Sequence, residues 1–163
     1  MAGVPLYTTP LQAEWVDYNG HLRDAFYVLI ASLATDALME RIGLDAEYRH
    51  RTGGTLFTLE LHVHYLHEIK LGDQVAVQLR VLALDAKRLH ILLELRRADA
   101  QPLCAAVELL LLHVVQQPET VRSAPLPAHA AAALAALQTL AAQLPEEAPP
   151  SRRLELRRPA TAA

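Results

Sequence analysis

An acid, an amide, a glycine and a histidine lie close together as Asp17, Asn19, Gly20 and His21, directly before the longest apolar helical pattern of the chain. The first turn of a helix carries unpaired N–H groups and the positive end of the helix dipole, which together stabilise a negatively charged oxygen. A carboxylate beside such donors can attack a bound carbonyl carbon or activate water against it. We therefore predict a reactive centre here, with Asp17 as its carboxylate.

The residues that follow Asp17 suit the other tasks of such a centre. The backbone N–H groups from Gly20 to Leu22 are predicted to stabilise the oxyanion, and Gly20 lets the backbone approach a ligand closely. Asn19 is suited to position either a water molecule or the carboxylate. His21 has two open roles, which are to hold the backbone in place or to contact the substrate. The choice between direct attack by the carboxylate and general-base catalysis also stays open.

The bulk composition bounds the class of protein. A length of 163 residues with 52% hydrophobic residues suits one well-buried domain, and a net charge of −3 argues against a nucleic-acid or membrane-surface binder. The most apolar run, from Leu103 to Val115, is shorter than the roughly 20 residues of a membrane helix. The single cysteine, Cys104, cannot form a disulfide within the chain, and no signal-peptide pattern is visible. We expect a cytoplasmic protein without nucleic-acid or membrane partners.

A long helix is predicted to follow the reactive stretch. Apolar residues recur at three- and four-residue spacing from Asp24 to Ile42, with Gly43 as the stop, so this helix needs cover on most sides. Residues 4–16 contain prolines that are typical of an edge strand. Residues 44–55 are predicted to form a mobile loop.

Beyond residue 55 the sequence period changes to that of strands. Residues 57–65 alternate with the odd-numbered positions apolar, residues 75–81 and 89–95 continue the alternation, and residues 103–115 are apolar on both faces. An amphipathic helix is predicted at residues 128–144. This order predicts the α+β class, with a curved antiparallel sheet of about five strands wrapped around one long helix, plus a C-terminal helix. Such a sheet around a helix is the hot-dog arrangement.

The predicted domain organisation has three parts. Residues 1–118 form the hot-dog domain, residues 119–144 form a helical extension packed on it, and residues 145–163 form a disordered tail rich in proline and arginine. The outermost strand and one helix end of such a domain stay exposed unless a second subunit covers them. We therefore expect a homodimer or a dimer of dimers.

Several separated motifs resemble one branch of the hot-dog acyl-CoA thioesterases. The run Asp17-Tyr18-Asn19-Gly20-His21 resembles the Asp-x-x-Gly-His signature of the 4-hydroxybenzoyl-CoA thioesterase-like family. The resemblance is stronger to the betainyl-CoA thioesterases of carnitine breakdown, and it covers residues 6–115. Its motifs are Glu14-Trp15-Val16-Asp17-Tyr18-Asn19-Gly20-His21, Ala34-Thr35-Asp36-Ala37-Leu38, Lys87-Arg88-Leu89-His90 and Leu111-Leu112-His113-Val114. In one departure, Arg23-Asp24 stands where general thioesterases often have Asn-Asn.

This resemblance implies hydrolysis of a short acyl-CoA thioester, with betainyl-CoA as the best single substrate and glycine betaine and CoA as products. It implies Asp17 as the essential carboxylate, with no metal and with CoA present as part of the substrate rather than as a cofactor. It also implies a dimer in which each site is formed between two subunits. Glu60 is the expected second carboxylate.

Aromatic side chains are candidates for binding the acyl group. A trimethylammonium group binds to aromatic faces and to a nearby carboxylate. We predict that Trp15, Tyr18 and Tyr65, with Glu60, bind the substrate. For the three aromatic residues, packing in the core stays open as the alternative.

Basic and metal-ligating side chains receive different predictions. Lys87 and Arg88 in a hairpin turn are predicted to contact the CoA phosphates. Glu60, His62 and His64 share one face of a strand, and imidazole and carboxylate are ligands of zinc or iron. A polar outer face of a half-buried sheet explains these three residues equally well, so no metal site is predicted.

Three other functions are consistent with the same pattern. The chain could hydrolyse a different aliphatic or aromatic acyl-CoA, add water to an enoyl thioester as a hot-dog hydratase, or bind acyl-CoA without catalysis. A hydratase loop usually has a longer Asp-to-His spacing with a proline, which this chain lacks. Release of free thiol distinguishes thioester hydrolysis from the hydratase and the binding module.

Overall fold

A six-stranded antiparallel sheet packed against one long helix forms the frame of this chain, in a computed structural model that describes residues 3–99 and 102–144. The strands are β1 Val4–Pro10, β2 Gly54–Tyr65, β3 Gln74–Leu84, β4 Arg88–Arg97, β5 Leu103–Gln117 and β6 Thr120–Ser123, and the helices are α1 Asp24–Arg41, α2 Ala46–Thr52 and α3 Ala128–Ala142. The strand order is β1-β3-β4-β5-β2, and β6 pairs with β5 beyond the end of β4. Among the described residues, no helix is long and apolar enough to cross a membrane.

The long helix predicted for residues 24–42 is confirmed as α1. Ile42 is its C-cap, and Gly43 follows at a φ of +77°. Ile30 and Leu38 are fully buried and lie in one core cluster with alternate side chains of the sheet. Burial of each such side chain contributes about 1.5–3 kcal/mol, so this face fixes the helix against the sheet. The predicted hot-dog arrangement is confirmed.

The C-terminal helix predicted for residues 128–144 is present as α3, which packs against β3 and β1. Leu134 and Leu137 are buried as the spacing predicts. Leu140, which the spacing places on the same stripe, is 46% exposed, and Ala141 is buried instead. The helical rotation of about 100° per residue explains the difference, because position 140 lies well to one side of the face that positions 134, 137 and 141 share.

The boundary predicted at residue 118 lies in the hairpin between β5 and β6. The sequence analysis did not predict β6, whose four side chains are all exposed. Its pairing with β5, from Val114 opposite Ser123 to Gln117 opposite Thr120, puts residues on both sides of the boundary in one sheet. The tail at residues 145–163 lies outside the described residues.

The segment predicted to be a mobile loop, residues 44–55, instead contains α2. Asp45 caps this helix by accepting a hydrogen bond from the N–H of Tyr48 at 2.8 Å, and Gly53 ends it at a φ of +70°. The Tyr48 hydroxyl lies 3.1 Å from Nε2 of His113 on β5, and both side chains are buried. One hydrogen-bonded pair therefore fixes the short helix to the sheet.

The alternation predicts that β2 keeps one apolar face along its whole length. In the structure it does not. A β-bulge interrupts its register with β5 at Leu59. Since one extra residue reverses the face to which the following side chains point, Leu56 packs against the core before the bulge and Leu61 after it. Phe57 and Leu59, predicted to face the core, are 37% and 50% exposed.

Candidate active site

A tight turn between the end of β1 and the start of α1 holds Asp17. Its Oδ1 accepts hydrogen bonds from the backbone N–H groups of Asn19 at 2.8 Å and His21 at 3.0 Å. Its own backbone N–H donates to the carbonyl of His21 at 2.9 Å, and its carbonyl accepts from Gly20 at 3.0 Å. Gly20 has a φ of +79°, the left-handed region that glycine adopts without strain. The turn therefore fixes the carboxylate through the backbone.

These hydrogen bonds keep the Asp17 carboxylate ionised. The pKa of Asp17 lies below its ordinary value, chiefly because the backbone N–H of His21 donates to it, and the N–H of Asn19 adds to the effect. Both donors bind Oδ1. Within the part of the chain that the structure describes, no backbone N–H donates to Oδ2, so this oxygen is the one more available to a substrate or to water.

The predicted oxyanion donors are already occupied in this chain. The N–H of Gly20 donates to Asp17, the N–H of His21 donates to the same residue, and the N–H of Leu22 donates to the carbonyl of Ile69 at 2.8 Å. The turn closes on itself and on a neighbouring segment, which the sequence does not show, and the role of these N–H groups as oxyanion donors stays a prediction.

The start of α1 offers a different donor. Arg23 is the N-cap and its side chain makes no capping hydrogen bond to the helix. The N–H of Ala25 donates to Oδ1 of Asp24 at 2.8 Å, and the N–H of Phe26 donates to the carbonyl of Arg23. The backbone N–H of Asp24 has no hydrogen bond among residues 3–99 and 102–144. It is therefore a donor in the first helical turn that remains available to an oxyanion.

The segment between β2 and β3 lies alongside the Asp17 turn. His21 and Lys70 form an isolated antiparallel bridge, which brings the two segments together. The Nε2 of His21 and the Nζ of Lys70 each lie 3.3 Å from Oε2 of Glu68. The sequence analysis did not identify Glu68, because no spacing pattern shows that this segment pairs with the turn.

A cleft of about 290 Å³ opens beside this turn, between α1 and the end of β2. The rings of Tyr27 and Tyr65 meet edge to face in its lining, with centroids 5.1 Å apart. The Tyr65 hydroxyl donates to the carbonyl of Asp24 at 3.2 Å. Burial raises the pKa of Tyr27 to about 12, so its phenol is neutral at physiological pH. The carboxylates of Asp24 and Glu68 and the imidazole rings of His21 and His67 complete the polar part of the lining.

The other predicted aromatic residues lie elsewhere in the chain. Trp15 stacks on Phe26 with a centroid distance of 5.9 Å, and it is half-buried against the core. Tyr18 is 95% exposed. Of the three aromatic residues predicted to bind the substrate, Tyr65 is therefore the one that lines the cleft. The assignments of Trp15 and Tyr18 to the substrate stay predictions.

Glu60 lies on the outer face of the sheet, opposite α1. It lines a small cleft of about 110 Å³ with His90, Glu108 and Leu110. The buried carboxylate of Glu108 contacts Nε2 of His90 at 2.5 Å. Within one chain, Glu60 is therefore not brought together with Asp17, and its predicted contact with the substrate stays untested.

The other candidate ligands on β2 are His62 and His64, which lie next to each other. The rings of His62 and His64 meet edge to face at 4.6 Å. Among the described residues, no group of three or more His, Cys, Asp or Glu side chains is arranged to hold a metal ion.

Lys87 and Arg88 lie at the opposite end of the sheet from Asp17. Arg88 pairs with Asp85 at 2.6 Å in the turn between β3 and β4, and Nζ of Lys87 lies 3.2 Å from Oγ of Ser123. β3 separates the two ends with its 11 residues. At about 3.3 Å per residue this is roughly 30 Å, so these cations are distant from the Asp17 turn of their own chain.

Comparison with known proteins gives this turn its context. A model of the thioesterase-like superfamily matches residues 11–134. The chain belongs to this superfamily. It is 54% identical over 108 residues to the betainyl-CoA thioesterase of Pseudomonas aeruginosa, a match that covers 66% of this chain and 68% of that protein.

Two solved structures of similar proteins extend the match to nearly the whole chain. A crystal structure from Pseudomonas putida KT2440, described as that of a candidate thioesterase, has 47% identity and a TM-score of 0.79 and covers 98% of this chain and 99% of its own. A protein from Staphylococcus aureus, solved in complex with CoA, has 30% identity and a TM-score of 0.77 over 92% of each chain. The fold and the order of elements around the Asp17 turn are those of the superfamily.

Proposed function

We propose that this member of the thioesterase-like superfamily hydrolyses betainyl-CoA to glycine betaine and CoA, with Asp17 as the essential carboxylate. The observation that carries the proposal is the ionised carboxylate of Asp17, held by two backbone N–H groups beside the first turn of α1 and a cleft. The similarity to a betainyl-CoA thioesterase supports the substrate. The proposed location is the cytoplasm, which agrees with the single cysteine, Cys104, being buried and free.

The chemistry follows from the groups present at the turn. Oδ2 of Asp17 either attacks the thioester carbonyl carbon or removes a proton from the water that attacks it. The negative charge that develops on the carbonyl oxygen is stabilised by the N–H of Asp24 and the dipole of α1. The C–S bond then breaks, and the CoA sulfur leaves with a proton that comes from the water consumed. When water attacks, its oxygen becomes the second oxygen of the product carboxylate. When Oδ2 attacks, the acyl group first forms a mixed anhydride with Asp17, which water hydrolyses to the carboxylate and free Asp17.

The test is the substitution Asp17→Asn with thiol release as the assay. Asparagine keeps an oxygen that accepts the two backbone N–H groups, so the turn and the fold are retained. It removes the negative charge, and loss of a positioned base or nucleophile lowers kcat by about 10²–10⁴-fold. Circular dichroism and the urea midpoint serve as folding controls. Betainyl-CoA hydrolysis that persists in a folded D17N variant contradicts the proposal.

We further propose that the active form is a homodimer, with each site built from two subunits. β2 is an outer strand of the sheet, and Phe57 and Leu59 on it are exposed. Unpaired strand edges with apolar side chains are surfaces that proteins cover. If two copies of β2 pair antiparallel, the Lys87 turn of one subunit moves to the same end of the joined sheet as the Asp17 turn of its partner. Lys87 and Arg88 then contact CoA in the partner's site.

A further inference from the structure

We infer that Glu68, together with the ring of Tyr65, selects substrates whose acyl group carries a positive charge. This inference rests on the proposed function and specifies how that same site recognises its substrate. The cleft beside the Asp17 turn has two neighbouring tyrosine rings, Tyr27 and Tyr65, and two carboxylates, Asp24 and Glu68. A trimethylammonium group donates no hydrogen bonds, so its recognition depends on aromatic faces and on nearby negative charge.

The charge of Glu68 is directed by its partners. Its Oε2 is shared between Nε2 of His21 and Nζ of Lys70, each at 3.3 Å. Its Oε1 accepts no hydrogen bond within residues 3–99 and 102–144. Lys70 lines a separate neighbouring cleft of about 380 Å³ with Arg97, and it does not line the cleft of the tyrosines. Of the two partners of Glu68, Lys70 therefore lies away from the aromatic lining, whereas His21 lines the tyrosine cleft together with Glu68.

The two tyrosines are held in fixed positions. Tyr27 is 5% exposed and belongs to the core cluster, while Tyr65 is 53% exposed and so presents ring surface to the cleft. The hydroxyl of Tyr65 is anchored on the carbonyl of Asp24. A ring whose position is already fixed loses little conformational entropy when a ligand binds to it.

The test compares betainyl-CoA with 3,3-dimethylbutyryl-CoA, in which a quaternary carbon replaces the quaternary nitrogen at nearly the same shape. The variant Glu68→Gln keeps the size of the side chain and removes its charge. We expect its kcat/KM for betainyl-CoA, divided by that for the neutral ester, to fall about fivefold from the wild-type ratio, the effect of one partly exposed charge. The matched control Glu119→Gln removes one exposed charge from the turn between β5 and β6 and leaves the ratio unchanged.

The ratio separates charge recognition from positioning. If Glu68 acts only by holding His21, the E68Q variant loses activity on both esters equally, the ratio stays constant and the inference is overturned. Tyr65→Leu is expected to lower the ratio of the two kcat/KM values. Tyr65→Phe keeps the ring, so its ratio is expected to equal that of the wild type. A ratio unaffected by Tyr65→Leu contradicts the role of the ring. Absence of thiol release from betainyl-CoA with the wild-type protein contradicts the proposed function instead.

Discussion

The two backbone N–H groups on Asp17 decide how its carboxylate titrates. They favour the charged form, so the pKa of Asp17 in the folded protein lies below its ordinary value. Activity that requires the ionised carboxylate therefore persists as the pH falls below the ordinary aspartate range of about 3.9. The hydrogen bonds to the ionised Asp17 also stabilise the folded protein. This stabilisation is present above the pKa that Asp17 has in the unfolded chain, and it is lost as the pH falls through the lower pKa that Asp17 has in the folded protein.

The measurement is the pH profile of kcat/KM, taken with brief exposures to acid because this parameter reports the pKa values of the free enzyme. We expect the acid limb assigned to Asp17 below about pH 4. An acid limb centred well above pH 4 would contradict the assignment of this limb to Asp17.

At the residue scale, the sequence predicts the reactive type of a side chain better than it predicts its partners. Asp17 and Gly20 have the geometry that their residue types suggest. The N–H groups of residues 20–22 make hydrogen bonds to Asp17 and Ile69, which the sequence does not show. Glu68 has no signal in the sequence, since its position depends on the pairing of its segment with the turn.

At the scale of elements, the close approach of α2 to β5 depends on Gly53. A Cβ atom at this position would lie 2.2 Å from the carbonyl oxygen of Gln116, and the residue has a φ of +70°. Gly53→Ala therefore combines left-handed strain of about 1–2 kcal/mol with a backbone clash of about 1–3 kcal/mol. We expect the free energy of unfolding in urea to fall by the sum of these effects.

Gly72→Ala is the matched control for the clash. Gly72 also has a positive φ, of +96°, but a Cβ atom there has no neighbour within 4 Å. This substitution should cost about 1–2 kcal/mol from strain alone. Both variants are compared with the wild type at one protein concentration, because association contributes to stability. Equal losses for the two variants would show that β5 does not constrain Gly53.

The long elements of this fold are predictable because each is a long, mostly apolar run that ends at turn residues. α1 and the strands from β3 to β5 each span ten or more residues, so a single exceptional residue does not hide them. α2 is seven residues long and mostly polar, so its caps at Asp45 and Gly53 are its main signals. The bulge at Leu59 changes the side of the sheet to which neighbouring side chains point. It does not alter the composition of the strand, so sequence alone does not reveal it.

At the scale of the whole molecule, the candidate groups are divided between two ends of one sheet. The Asp17 turn, the first turn of α1 and the tyrosine cleft lie at one end, and Lys87 and Arg88 lie at the other. Pairing of two β2 edges in antiparallel orientation brings opposite ends together. A sequence does not state which surface a second copy covers, so the expectation that two subunits share each site rests on resemblance to a family.

Mixed dimers test this division directly. One subunit carries Asp17→Asn and the other carries Lys87→Ala with Arg88→Ala, and two different affinity tags isolate the mixed form. The homodimer in which both subunits carry Lys87→Ala with Arg88→Ala is expected to lose about tenfold in kcat/KM through its lost phosphate contacts.

If sites are shared, the mixed dimer has one site with an intact Asp17 from one subunit and an intact Lys87 from the other. It then keeps about half of the wild-type kcat/KM. If each site uses its own chain, the surviving Asp17 belongs to the subunit without its cations, and about one-twentieth remains.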